Sequence, residues 1–458
     1  MPIVAQRVIG PQLFVVLLLQ FRIGRFRHID FERDIGAILR IGFVHCFGFD
    51  QSRRLWVDRT GVSVVSGWKL IVPMQRIPVN ERADWRQLAE QCGFLFHTPD
   101  GAPYWDETAY YAFSLREIED DLEAPTAALD GMCRELVARA IADERILKRL
   151  AIPERFWNFI AASWKRHDGS LYGRFDLSYD GNGPAKLLEY NADTPTSIFE
   201  TAVFQWNWLN DAIAGQIIPR DADQFNSLHE RLIEGWKPLA HGGTIHLVGM
   251  LDNAEDAGTL AYLEDTARQA GAATRMVAIN RIGRNPKGMF VDDADAPIGT
   301  AFKLYPWEWM FREKFGASLP GSSTRWIEPP WKAILSNKGI LPLLWEMFPR
   351  HPNLLPAFFA DDPKRAELGD SHVRKPLHSR EGANVEIVIG GNVVDADGGP
   401  YGDEPKILQA VAPLPVFDGN HAVLGSWWAG GAPAGLSVRE DVGPITRNTS
   451  RFLPHAIV

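Results

Sequence analysis

Apolar and polar positions change period several times along the chain, and each change predicts an element. Residues 104–150 alternate acidic and apolar positions near the 3.6 period of a helix, as in Leu115 to Leu122 and Leu129 to Leu150. Residues 171–191 switch to a period of two around Asp180-Gly-Asn-Gly183, the pattern of a β-hairpin. An amphipathic helix is expected over 197–213. A buried strand over 244–250, a helix from Ala254 to Gln269 and a strand from Thr274 to Ile279 give a β-α-β rhythm. A helix over 338–349 stops at Pro349, and short strands over 372–376, 385–389 and 406–411 alternate with glycine-rich loops. The tail, Gly425 to His455, mixes strand and loop, and no internal repeat appears. The sum is a mixed α/β (α+β) protein.

At 458 residues the chain is too long for one small core, and its sixteen tryptophans call for a large buried body. A net charge of −9 argues against a nucleic-acid partner. The apolar run Leu13–Leu19 is far short of the roughly 20 residues of a membrane span. Cys46, Cys92 and Cys133 are odd in number and widely spaced, so neither a disulfide framework nor a zinc site is expected. Reduced thiols fit a cytoplasmic protein. Residues 1–73 hold nine Arg and one Lys against five acidic residues, in a chain that is otherwise acidic. Two readings follow: translated upstream sequence with Met74 as the natural start, which we favour, or a basic targeting or membrane-surface arm. Met74 to Trp85 reads as an exposed start leading into a helix, with Asn80 as a candidate cap.

Chemistry concentrates in four places. In the hairpin, Arg174 and Asp176 share one strand face, and Glu189 and Asn191 share a face of the partner strand. Two carboxylates and an amide are hard oxygen donors suited to Mg²⁺, with an arginine beside them for an anionic oxygen. The alternative is a salt-bridged, solvated hairpin face. The polar turn from Ala192 to Ser197 opens a helix, and helix N-termini suit carboxylates or phosphates. Ser336-Asn-Lys338 and Lys375 offer point charges for phosphates, or are surface lysines. Ser379 to Asn384 is a polar loop able to lay N–H groups over phosphates, or a plain hairpin connection. Lys406 to Ala410 is either a strand that meets an adenine edge or a core strand. No phosphate-binding P-loop and no dinucleotide fingerprint occur.

In order, Leu171-Tyr-Gly-Arg-Phe-Asp176, Lys186 to Ser197, Phe302-Lys-Leu-Tyr-Pro-Trp-Glu308, Trp326 to Lys332, Ser336-Asn-Lys338, Arg374-Lys-Pro376, Ser379 to Val385 and Ile445 to His455 resemble the glutathionylspermidine synthase family, in its short bacterial form without an amidase domain. The resemblance covers 74–458. It implies an ATP-grasp fold, with a small α/β subdomain near 240–300 and ATP-grasp lobes near 320–458 plus the 170–210 hairpin. It implies ATP and Mg²⁺ as cofactors and a ligase joining a carboxylate (glutathione or another peptide) to an amine (spermidine, another polyamine or an amino acid) through an acyl phosphate. Two alternatives are an Mg·ATP-binding protein without turnover and an acyl-phosphate-forming kinase. The resemblance gives Arg174 the catalytic position and Asp176, Glu189 and Asn191 the metal. It gives Lys338, Lys375, Ser379, Gly382, Asn384 and Gln409 the ATP. Asp193, Thr194, Ser197 and Glu308 are substrate-contact candidates, with core or capping roles as the alternative. The expected partners are small molecules, without nucleic acid or membrane, and no amidase activity is expected.

Overall fold

A computed structural model describes residues 73–240 and 243–458. The readings placed on residues 1–72, Cys46 and the Leu13–Leu19 run among them, lie outside the described residues. At the centre is a six-stranded antiparallel sheet. Its order is Arg451–Leu453, Ala432–Asp441, Asn420–Ala429, Tyr172–Ser178 and Lys186–Asn191, with Val416–Phe417 pairing onto Asn420–Ala429. The hairpin expected over 171–191 therefore forms, but its first strand is completed by a strand some 240 residues later.

A five-stranded antiparallel sheet packs beside it, in the order Ala357–Phe359, Lys406–Gln409, His372–Pro376, Glu386–Ile389 and Asn392–Ala396. The three strands expected there lie within two residues of their predicted bounds. The β-α-β rhythm is a four-stranded parallel sheet of Thr244–Gly249, Ala273–Ala278, Thr300–Leu304 and Arg325–Ile327, with the helix Ala254–Gln269 packed on it. Asn253 caps that helix by accepting from the N–H groups of Glu255 and Asp256.

Two expectations are corrected. Helix does not run through 104–150: Ala109–Phe113 is a fully buried strand, between Gln75–Pro78 (antiparallel) and His455–Ile457 (parallel). Its Ala-Tyr-Tyr-Ala-Phe run is apolar on both faces, which suits a central strand, and helix begins only after Ser114. Met74 is not an exposed start either. It is 2% exposed, and its N–H donates to the buried Glu117 at 2.8 Å. The helix after it runs Trp85–Gln91, flanked by Asp84 rather than capped by Asn80. The helix expected over 197–213 opens with a π-type turn, Glu200–Phe204, and continues as Gln205–Ala214.

Trp85, Trp105, Trp208, Trp236, Trp307 and Trp427 are among the largest fully buried side chains, so the tryptophan count does go into core. Among the described residues no helix is long and apolar enough to cross a membrane.

Candidate active site

Register opposes Arg174 to Asn191 and Asp176 to Glu189, so four polar side chains meet on one face of the central sheet. Arg174 donates from Nε and Nη2 to the two oxygens of Asp176, at 2.6 and 3.0 Å. Its Nη1 donates to the Thr196 carbonyl and to Ser197 Oγ, each at 3.2 Å. Asn191 Nδ2 bridges the carboxylates, 2.9 Å from Asp176 Oδ2 and 3.1 Å from Glu189 Oε1.

Two lysines reach this face from other elements. Lys338 precedes the helix Ile340–Met347; its Nζ lies 3.0 Å from Glu189 Oε2 and donates to the Ser379 carbonyl at 2.5 Å. Lys375, on His372–Pro376, donates to the Leu188 carbonyl at 2.9 Å and to Gln409 Oε1 at 2.8 Å. Gln409 Nε2 donates in turn to the Leu187 carbonyl at 3.0 Å. Gln409 thus ties Lys375 and its sheet to the outer hairpin strand.

The charges alter one another. Burial pushes the Glu189 carboxyl up, but Lys338 and Lys375 outweigh it and hold the group at about 2. Burial dominates at Asp176, whose carboxyl is raised despite Arg174. Burial also lowers Lys375 to about 8, against the pull of Glu189.

The loop Ser379 to Asn384 folds over the edge of this face. Ser379 Oγ is buried and unpartnered. Gly382 has φ +76°, and a Cβ there would meet Ile445 Cγ2 at 2.7 Å and the Thr446 carbonyl at 2.8 Å. The loop therefore requires glycine both for its backbone and for its close approach to 445–446. Asn384 Oδ1 accepts from the Tyr401 N–H at 2.8 Å. Arg380 is the residue that sequence reasoning passed over. Its Nη1 donates to Thr194 Oγ1 at 2.8 Å and its Nη2 to Glu308 Oε1 at 3.0 Å, pinning the loop to the hairpin exit. Glu308 Oε2 is buried without a partner.

Asp193 lies within electrostatic reach of Glu308 and Arg380 but is bonded elsewhere. Lys303 Nζ donates to its Oδ1 at 2.5 Å and the Trp307 N–H to its Oδ2 at 2.9 Å, so both oxygens are engaged. The pair is 0% and 1% exposed and joins the hairpin to the parallel sheet. Ser197 sits at φ +67°, a left-handed conformation for a non-glycine residue, just where the helix begins.

A second acidic group was also missed. Glu255 and Asp256 open the helix Ala254–Gln269, and Glu381 sits at the loop tip within electrostatic reach of Asp256. Burial, then Glu255, pushes Asp256 up to about 7, and burial with Glu255 likewise raises the buried Glu200 to about 7. The signal was present as the run Asn253-Ala-Glu-Asp256, but it reads equally as a helix cap with acidic first-turn residues.

The donor set fits a hard divalent cation. Two carboxylates meet at the Asn191 amide, whose Oδ1 would replace the Nδ2 now turned toward them, and three such donors leave room for phosphate oxygens and water.

The fold class is independently supported. A glutathione synthetase-like effector from Globodera pallida shares the fold at TM-score 0.51 and 12% identity, over 82% of this chain and 95% of that one. The likeness is one of fold, a mixed α/β body of the glutathione synthetase-like kind. A family model described as glutathionylspermidine synthase preATP-grasp matches residues 76–458, and the chain belongs to that family. A Haemophilus influenzae protein provisionally named an acid–amine ligase is 40% identical over 82% of this chain and 98% of its own length. Trypanothione synthetase of Crithidia fasciculata is 29% identical over 82% of this chain, and the bifunctional glutathionylspermidine synthetase/amidase of Escherichia coli 25% over 77%. The chain spans only 61% and 60% of the length of these last two. It is a carboxylate–amine ligase.

Proposed function

We propose that this ligase activates a substrate carboxylate with ATP and passes the acyl group to an amine, glutathione with spermidine being the first pair to test. The observation that carries the reading is the meeting of Arg174, Asp176, Glu189 and Asn191 with Lys338 and Lys375 on one sheet face. Asp176, Glu189 and Asn191 would hold Mg²⁺, which when bound neutralises phosphate charge and steadies the terminal phosphate. Lys338 and Lys375 leave Glu189 and Gln409 to hold the phosphates, and the carboxylate oxygen attacks the γ-phosphorus to give an acyl phosphate and ADP. Ser379 to Asn384 cover the phosphates, and the Arg380 anchor keeps this cover closed against water.

The amine nitrogen then attacks the acyl carbon. Arg174 stabilises the oxyanion that develops there, and collapse expels phosphate and leaves the amide. Glu255, Asp256 and Glu381 lie within electrostatic reach of one another, with Arg380 also near, and are the candidate side for an ammonium-bearing substrate, whose charge would favour the ionised Asp256. Thr194, Ser197 and Glu308 line the adjoining rim through their bonds to Arg380 and Arg174.

The test is ADP release by the purified protein with Mg·ATP against a panel of carboxylates and amines that includes glutathione and spermidine. Release that needs both partners is expected. Release with the carboxylate alone would point to a kinase, and Mg·ATP binding without release for any pair would point to a ligase fold without turnover.

A further inference from the structure

The middle of the strand Asn420–Ala429 carries a glycine where strand chemistry disfavours one. Gly425 has ordinary strand backbone, so no left-handed conformation calls for it. It faces Asp176 on one side and Ser437 on the other. Glycine in a strand interior gives up side-chain packing, and often marks a place where another group lies close.

The group here is Arg174. A Cβ on Gly425 would stand 2.8 Å from Arg174 Cδ and 3.3 Å from its Cγ, and 2.5 Å from Ser437 Oγ. Neither neighbour gives way freely. Ser437 Oγ donates to the Gly425 carbonyl and accepts from the Trp427 indole, both at 3.2 Å. The Arg174 head is fixed by Asp176, Thr196 and Ser197, and its Cζ lies 5.5 Å from the Trp427 ring. The stem of Arg174 therefore lies in a trough left by the missing side chain.

We infer that Gly425 is a positioning residue: the trough it leaves sets the height and direction of the Arg174 guanidinium. The inference rests on the oxyanion role proposed for Arg174, but the placement itself is tested separately. A methyl at 425 lifts the stem, breaks the paired hydrogen bonds to Asp176 and moves the positive charge away from the acyl carbon.

The experiment compares Gly425→Ala, Arg174→Ala, the double variant and Gly299→Ala, a glycine with nothing within 4 Å of its would-be Cβ. Crystal structures of Gly425→Ala and the unsubstituted chain are expected to differ at Arg174, whose two hydrogen bonds to Asp176 should be broken in the variant. ADP release with glutathione and spermidine is expected to fall about tenfold or more in kcat, with the ATP KM within about twofold. The loss should vanish in the Arg174→Ala background, as two residues acting through one group require. Gly299→Ala should keep full turnover. If Gly425→Ala folds poorly, adding Ser437→Ala removes the second obstruction and leaves Arg174 alone to respond. Retention of both Arg174–Asp176 bonds with only Ser437 displaced overturns the inference, as does an equal loss with and without Arg174. Normal turnover by Arg174→Ala would sink the oxyanion role, while the crystal structure still decides the placement; where the probe pair gives no turnover, the structure decides alone.

Discussion

Two buried charge clusters lie a few residues apart in the chain and differ in what they leave free. Asp193 and Lys303 are shut away from solvent, and each hydrogen bond they make is to a fixed group. Asp176 and Glu189 sit in the hairpin just before, with side chains 14% and 28% exposed, paired to Arg174 and Lys338. The first pair is a rivet between sheets, because a closed ion pair has nothing to exchange with. The second is partly open to solvent, and in the proposed function an incoming cation and phosphate replace its partners in kind. Buried charge alone does not mark a site; access and exchangeable partners do.

The largest expected effect breaks the rivet. Asp193→Ala leaves Lys303 in the core without its carboxylate, with the Tyr305 carbonyl as its remaining hydrogen-bond partner, and urea unfolding should show a loss of about 3–5 kcal/mol. A change under about 1 kcal/mol would mean that the pair is not closed. Next comes the open cluster. Asp176→Asn and Glu189→Gln keep shape and hydrogen bonding, so the fold should hold while ADP release drops by on the order of 10²-fold or more. Full turnover in either variant would reduce this face to a second rivet.

A smaller effect separates the two clusters by pH. Lys375 is lowered to about 8 from 10.5, so it sheds its ammonium proton early in the folded protein. ATP affinity, measured by calorimetry, should fall as pH rises through about 8, and Lys375→Met should bind more weakly and lose that dependence. The sign for stability is opposite. Between pH 8 and 10.5 the unfolded chain binds the extra proton, so this group favours folding increasingly as pH rises. The smallest effect is at acid pH. Glu189 is depressed from 4.5 to about 2, so it contributes stability above 4.5 that is lost as pH falls toward 2. Glu189→Gln should flatten that part of the acid unfolding curve.

Much of the hairpin was legible because its signal is local. Alternation plus a Gly-Asn-Gly turn fixes which side chains share a face, so Arg174, Asp176, Glu189 and Asn191 could be grouped before any coordinates. The helix Ala254–Gln269 was legible to the residue from the β-α-β rhythm around it, and Asn253 proves to cap it. What was lost was non-local. The partners Asp193 and Lys303 are 110 residues apart, and no pattern near either one announces the other. Arg380 falls in a loop marked by its polarity and its glycine, and nothing in it announces Thr194 and Glu308 as the partners. Ala109–Phe113 was read as helix because acidic residues on either side impose a helical rhythm, and the strand is decided by neighbours at 75–78 and 455–457.

The strand that completes the hairpin also sets an order of events. Tyr172–Ser178 waits for Asn420–Ala429, and the sheet of Ala109–Phe113 waits for His455–Ile457. During synthesis the arginine and the carboxylates leave the ribosome long before the floor they rest on. Contacts so distant along the chain are costly to close and form late. The newborn polypeptide therefore carries the hairpin's charged residues without the strand beneath them until some 240 further residues have been made.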